Sequence, residues 1–487
     1  MTSDNHVISS AKSSQGAHSR VRHGADVRLP SAFQWTLGAL LAIAGWVAAQ
    51  NPGALFKGLS FAAAAAFLAV AAWRILLVVV SGASRDTPPP ASPLPRYTIL
   101  AALHDEAEVV GQLIERLANI DYPTNRLQGL IVLEAHDTAT RRAARAVARP
   151  SWLKILVVPP GRPQTKPRAL NFALTKATGQ LLTVYDAEDE PDPGQLREAA
   201  ARFAADAHGR LACLQAPLRI RRPAGSRTPF LDRQFAAEYA ALFETALPGM
   251  SRLGLPFPLG GTSNHFRVDV LRAVGGWDAY NVTEDADLGF RLWTGGWRLG
   301  VLTRPTWETP PGEMYDWLPQ RTRWLKGYMQ TWGVHTRRPW RLGLRGLTAL
   351  VMTLGAGLMS AAANGPSMAW VSATVLVALM DGHTPMTPAY AVGVMVLGAA
   401  AAWTSCLVGT RRAGVPYGPL DMIMAPAYWS LLSLAMGHAA WRLIWQPFAW
   451  DKTRHRCETP PSGHAVLDET APDRLSAGHA ATPEPVA

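Results

Sequence analysis

Cysteine is scarce in this sequence, and what there is stands apart. The 487 residues hold three, Cys213, Cys406 and Cys457, with no CxxC pair, which argues against a disulfide framework or a cysteine zinc site. The first thirty residues contain no apolar run, so no cleavable signal peptide is expected. A net charge of +11 would suit a nucleic-acid binder. The chain has no aromatic and basic face away from its apolar segments, however, so no nucleic-acid partner is expected. Much of the positive charge, at Arg20, Arg22, Arg28, Arg337, Arg338, Arg341 and Arg345, flanks apolar segments. The cytosolic side of a membrane protein has this bias.

Long apolar runs are what the chain does possess, and they divide it. Residues 1–30, polar and rich in Ser, His and Arg, read as a disordered cytosolic tail. Residues 31–85 hold two runs, "SAFQWTLGALLAIAGWVAA" and "LSFAAAAAFLAVAAWRILLVVVSG", each about the twenty residues of a transmembrane helix. Arg74 in the second must snorkel or face protein. After the linker "TPPPASPLP", residues 96–332 alternate strand-like runs ("RYTILAAL", "LQGLIVLEA", "LKILVVPP", "QLLTVYDAE", "LACLQAPLRI") with amphipathic stretches. That β-α-β alternation predicts a mostly parallel sheet with helices on both faces. Residues 343–447 are apolar again, in four candidate membrane or re-entrant segments: Gly346 to Ala363, Met368 to Met380, Ala389 to Thr410 and Leu420 to Leu443. The second, at thirteen residues, is short for a crossing, and the number of crossings stays open. Residues 448–487 are expected to be a cytosolic segment and a disordered tail.

In such a sheet, ligands bind at the carboxyl ends of strands, and several strands here end in carboxylates. The first run leads into His104, Asp105 and Glu106; the second ends in Glu134, His136 and Asp137; the fourth in Asp186, Glu188 and Asp189. Oxygen donors of this kind suit Mg2+ or Mn2+, which can bridge a diphosphate. Helix capping by Asp105 and Asp137, and a solvated acidic turn at 186–189, are the plainer alternatives. Lys166 and Arg168 precede a helix, a place that favours phosphate. "NVTEDADLGFRLW" offers Glu284, Asp285 and Asp287: either a first helical turn capped by Thr283, or a general base beside an acceptor hydroxyl. In "QRTRWLKGYMQTW", Gln320 to Trp332, Arg and Trp crowd the point where the chain enters its second apolar region.

The order of these pieces, "DAED", then "TED", then "QRTRW", then membrane helices, resembles membrane-integrated family 2 glycosyltransferases of the cellulose, hyaluronan and chitin synthase kind. The resemblance runs from about Tyr97 to Trp332 and implies an α/β GT-A (Rossmann-like) catalytic domain, cytosolic, between transmembrane segments of an inner (plasma) membrane protein. By resemblance, Glu106 and Glu134 contact the uridine, Lys166 matches the Lys of "K-x-x-A-L-N", and Asp186 and Glu188 match the DxD pair that holds Mg2+ or Mn2+. Asp285, with Glu284 beside it, matches the catalytic base. Gln320, Arg323 and Trp324 match QxxRW, with Arg323 on the diphosphate and Trp324 on the acceptor sugar. "WDKTR", with Trp450, Lys452 and Thr453, resembles a loop that gates the nucleotide. The implied reaction is inverting transfer from a nucleotide sugar, with UDP-glucose the first guess, onto a growing β-glycan with export and possible accessory subunits; a lipid acceptor glycosylated once is the alternative.

Overall fold

The structure is a computed structural model, and it describes residues 24–26, 30–82, 88–221, 228–381 and 389–449. Two apolar helices open the described chain, α1 (Ala32–Ala49) and α2 (Pro52–Ser81). The Ser31 hydroxyl caps α1, and Asn51 followed by Pro52 starts α2, standard helix-start chemistry.

The elements of the α/β domain follow in the order β1 (Tyr97–Leu103), α3 (Val110–Ala118), β2 (Leu127–Glu134), α4 (Thr138–Ala146), β3 (Leu153–Val158), α5 (Lys166–Leu174), β4 (Leu181–Tyr185), β5 (Glu190–Pro191), α6 (Gln195–Ala204), β6 (Leu211–Gln215) and β7 (Leu218–Ile220). Then come α7 (Pro229–Ala241), α8 (Leu247–Arg252), β8 (Asn264–Arg267), α9 (Val268–Ala273), α10 (Glu284–Thr294), β9 (Arg298–Val301), β10 (Thr306–Glu308) and α11 (Met314–His335). Seven strands form the main sheet in the order β3-β2-β1-β4-β8-β6-β9. β1, β2, β3 and β4 pair in parallel, as do β6 and β9, while β8 runs antiparallel between β4 and β6. The sheet is therefore mixed rather than mostly parallel. Its antiparallel member, "NHFR", is too short to announce itself by period. The run "LACLQAPLRI" also divides: β6 stays in the main sheet, and β7 joins a second sheet of order β5-β10-β7. Pro217, with no N–H to give, stands at the break.

Both faces of the sheet are buried. Leu100, Leu182 and Phe266 face one core and Ile99, Ile131 and Leu133 the other, each at most 1% exposed, and each contributes on the order of 2 kcal/mol.

After α11 come α12 (Gly343–Leu350), α13 (Ala356–Asp381), α14 (Ala389–Ala413) and α15 (Pro419–Trp445). The segments 346–363 and 368–380, expected to be separate, form one run of helix through a π turn at Val351–Gly355 and across Pro366. A proline inside a helix disrupts the ladder around it. Here the Ser433 hydroxyl, from α15, accepts from the Gly365 amide at 2.8 Å and donates to the Ala361 carbonyl at 2.5 Å. Among the described residues, four helical stretches are long and apolar enough to cross a membrane: Ala32–Ala49, Pro52–Ser81, Pro339–Met380 and Tyr390–Ala413.

α15, expected as a further candidate segment, is tied to the catalytic domain at both ends. Asp421 pairs with Arg233 and its carbonyl accepts from Gln234 at 2.7 Å. At the other end, Lys326 and Gln330 donate to the carbonyls of Ala449 and Pro447 at 2.7 and 2.9 Å.

Candidate active site

The parallel register sets β1, β2 and β4 side by side, pairing Leu103 with Leu133 and Ala101 with Tyr185. The residues just past these strands therefore gather at one edge. They line a cavity of about 490 Å³ that includes Glu106, Glu134, Lys166, Asp186, Glu188, Glu284, Asp285, Gln320, Arg323 and Trp324. Residues spread over more than two hundred positions meet there.

At one end, Asp105 takes a left-handed turn (φ 58°), and its amide donates to Asp137 at 2.6 Å. Asp137 also caps α4 through the Thr140 amide at 3.1 Å, so its capping role is structural fact, whereas the cap position of α3 is held by Val109 rather than Asp105. The turn delivers Glu106, buried, with its amide bound by the Thr140 hydroxyl at 2.9 Å. Glu134 accepts from one Arg168 nitrogen at 2.7 and 2.8 Å. Arg168 is thus the counter-ion of Glu134.

Lys166, at the start of α5, pairs with Asp186 and donates to the Gly261 carbonyl at 3.2 Å. Burial works against its ammonium, but Asp186, Glu284 and Asp285 outweigh it and hold its pKa above the ordinary value. Asp189 is fully buried: one oxygen accepts from the Asp186 amide at 2.7 Å and from the Thr262 hydroxyl, and the other has no hydrogen-bond partner. Burial, then repulsion from Asp186 and Glu188, pushes Asp189 well up; Glu308, which no motif signalled, is raised by burial and by these same acids. Carboxylates that repel one another, one with a free buried oxygen, suit a divalent cation by their chemistry. No preassembled group of three such donors occurs among the described residues, but Mg2+ commonly takes one or two carboxylates and completes its shell from substrate phosphates. The residues fit in that sense.

Glu284 and Asp285 open α10. Thr283 stands at the cap position, yet its side chain makes no capping hydrogen bond, contrary to the expected role. It packs instead on Gly327 of α11. Burial pushes Glu284 up to about 8 and Asp285 up to about 6. Asp287, two residues on, belongs to a different network: it binds Arg291 at 2.6 Å and His335 at 2.9 Å and faces away from the cavity lining. On α11, Gln320, Arg323, Trp324 and Tyr328 recur at helical spacing and line the cavity together. The Gln320 side-chain oxygen is buried with no hydrogen-bond partner. Arg323 lies close enough to lower the pKa of Glu284 and Asp285.

Trp450, Lys452 and Thr453 lie outside the described residues; Phe448 and Ala449 just before them line the cavity. Motif reading also missed Tyr239, Leu242, Phe243 and Tyr328 in the lining. Only the helical spacing of Tyr328 from Gln320 and Trp324 could have pointed to one of them.

The family model "Glycosyl transferase family group 2" matches residues 181–441, and "Glycosyl transferase family 2" matches residues 98–244. Among curated proteins, the chain is 28% identical over 254 residues to a beta-monoglucosyldiacylglycerol synthase of Synechocystis sp., covering 49% of this chain and 50% of that protein. It is 25% identical over 240 residues to the probable glycosyltransferase YdaM of Bacillus subtilis, covering 48% of this chain and 55% of that protein. The chain spans about half the length of the curated relatives it matches. Among solved structures, the mannosyltransferase PcManGT of Pyrobaculum calidifontis, in complex with GDP-Man and Mn2+, superposes with a TM-score of 0.51 at 19% identity. That match covers 78% of this chain and 99% of that one, and shows a shared GT-A type fold.

Proposed function

This chain belongs to glycosyl transferase family group 2, and on that premise we propose that it moves a sugar, with inversion, from a nucleotide sugar to a hydroxyl group of a membrane lipid. One observation carries the reading: a single cavity joins the Lys166–Asp186 pair, the acids Glu284 and Asp285, and Arg323 with Trp324.

Asp285 is the base. Burial raises both carboxyls, Glu284 further than Asp285, so Asp285 is the one of the two that gives up its proton more readily. Asp285 accepts the proton of the acceptor hydroxyl, whose oxygen bonds to the anomeric carbon as the bond to the diphosphate breaks. Lys166 and Arg323 stabilise the negative charge gathering on the leaving diphosphate. Asp186 and Glu188, with Asp189, would hold Mg2+ or Mn2+, which when bound supplies further charge neutralisation there. Glu106 and Glu134 meet the nucleoside, Gln320 accepts from a sugar hydroxyl, and Trp324 offers its face to the acceptor.

The choice of a lipid rests on the walls of the cavity. They come from the catalytic domain, α11 and the Phe448–Ala449 segment, and none comes from α1, α2, α13 or α14. A polymer passing through the bilayer would need a path lined by those helices, whereas a lipid needs only the membrane-facing rim. Relatives named as monoglucosyldiacylglycerol synthases favour the same reading. The polymerising alternative keeps its QxxRW match and is distinguished by product size.

Contacts between helix ends support a membrane topology. The start of α1 binds the end of α11 through Ser31 and Gln34, and Arg412 at the end of α14 binds Ser81 at the end of α2 and the Glu244 carbonyl. α1–α2 and α13–α14 are then two hairpins, leaving and returning on the catalytic side. Arg337, Arg338, Arg345, Arg411 and Arg412 flank these helix ends, and the positive-inside bias supports a cytosolic catalytic side at the plasma membrane.

The test is nucleotide release by the full chain in lipid nanodiscs with Mg2+ or Mn2+, across UDP-glucose, UDP-N-acetylglucosamine and GDP-mannose. Asp285→Asn is the control, and products are sized. A lipid-sized product lost in the variant supports the reading; a long polymer refutes the single transfer, and release from no donor refutes the donor site.

A further inference from the structure

Behind the aromatic wall of the cavity lies a charged side chain with no part in the reaction described above. Arg321, 4% exposed, points away from the cavity between α7, α11 and α15. It donates to the two Glu238 oxygens at 2.8 and 2.6 Å and to the Tyr428 hydroxyl at 2.8 Å. Tyr428 in turn donates to Glu238 at 2.8 Å, closing the triangle. The guanidinium carbon lies 4.6 Å from the Trp324 ring centre, 4.8 Å from Phe235 and 5.6 Å from Trp317. Tyr239, which shares the cavity wall with Trp324, has its ring 6.1 Å from that of Trp324.

The guanidinium is buried but the Glu238 carboxylate is 40% exposed, and an ion pair of this kind is a poor device for stability alone. What a guanidinium adds is a rigid plane, able to take a carboxylate with its edge and an indole with its face. Glu238 and Tyr428 fix that plane from α7 and α15, and the plane fixes the indole. We infer that Arg321 is the positioning residue that holds Trp324 in the orientation an acceptor meets, and that Tyr428 makes that orientation depend on how α15 is seated. This inference rests on the transferase reading above.

Its consequence is a separation of two reactions. Water can replace the acceptor: its oxygen bonds to the anomeric carbon, the bond to the diphosphate breaks, and the proton passes to Asp285. Water needs no aromatic platform, and on the donor side Lys166 bonds to Asp186 and the Gly261 carbonyl rather than to the triangle. Loosening it should therefore impair transfer and spare hydrolysis.

The experiment uses the full chain in phosphatidylglycerol nanodiscs containing diacylglycerol, with UDP-glucose and GDP-mannose as donors. Nucleotide release without acceptor is compared with sugar incorporated into organic-soluble or ethanol-precipitable product. Arg321→Lys, which keeps the charge and loses the plane, should cut incorporation by on the order of tenfold to a hundredfold and raise the acceptor KM, with hydrolysis within about twofold of wild type. Tyr428→Phe, the milder change, should move the ratio in the same direction. Equal loss of both activities would mean a merely structural role and overturn the inference, as would an unchanged ratio in Arg321→Lys. A wild-type chain that releases nucleotide from neither donor would instead overturn the transferase reading itself, and the inference with it.

Discussion

Gly327 is where one methyl group should separate folding from catalysis. A Cβ added there would stand 2.5 Å from Thr283 Cγ2 and 2.7 Å from Thr283 Cβ, and closer still to its hydroxyl oxygen. Ordinary carbon contacts begin near 3.5 Å, so the two helices would have to part by roughly 1 Å. Thr283 is buried and β-branched and has little rotameric freedom to yield. It directly precedes Glu284 and Asp285, while Gly327 shares α11 with Gln320, Arg323 and Trp324, so the parting acts on the distance between base and diphosphate grip. Overpacking costs about 1–3 kcal/mol, and Ala recovers about 1 kcal/mol of helix propensity over Gly. The net loss, about 0–2 kcal/mol, leaves the chain folded. A misplacement of about 1 Å costs on the order of a hundredfold in rate. Gly327→Ala is thus predicted to lower kcat for nucleotide release by about that factor, with Tm falling only a few degrees. Wild-type kcat would refute the idea that this contact sets the catalytic distance, and a collapse in Tm would refute the energy estimate.

Three other predictions concern the charges. Because burial raises Asp285 to about 6, the basic form grows as pH rises through that value; kcat/KM should climb roughly tenfold per pH unit below it and level off above. A profile flat between pH 4.5 and 7.5 would remove Asp285 as the base. Arg168→Ala leaves Glu134 mostly buried without its counter-ion, at about 3–5 kcal/mol, so Tm should drop and donor KM rise, and adding Glu134→Gln should restore much of the Tm. If the second change brings no recovery, the pair is not what Arg168 provides. Chelation by EDTA should abolish nucleotide release and Mg2+ or Mn2+ restore it; undiminished activity after exhaustive chelation would dismiss the role given to Asp186 and Glu188.

Local chemistry was enough to read much of this chain from its sequence. Apolar runs longer than any core strand can only be membrane or buried helices, so α1, α2 and α14 were legible. Short apolar strand-like runs ending in acids marked β1, β2 and β4 and, with them, the edge where Glu106, Glu134 and Asp186 meet. Tertiary structure decided what depends on residues far apart in the chain. Where helix α13 crosses Pro366, it is Ser433, sixty-seven residues later, that bridges the Gly365 amide and the Ala361 carbonyl. Thr283 has the sequence of a cap and the job of a spacer, since Gly327 leaves room for it alone. Glu308 joins the acids through β10, and Arg321, though inside the motif, takes its partners from α7 and α15. Hydrogen-bond satisfaction and close packing are pairwise across the fold, and no local pattern records which distant residue will supply the other half.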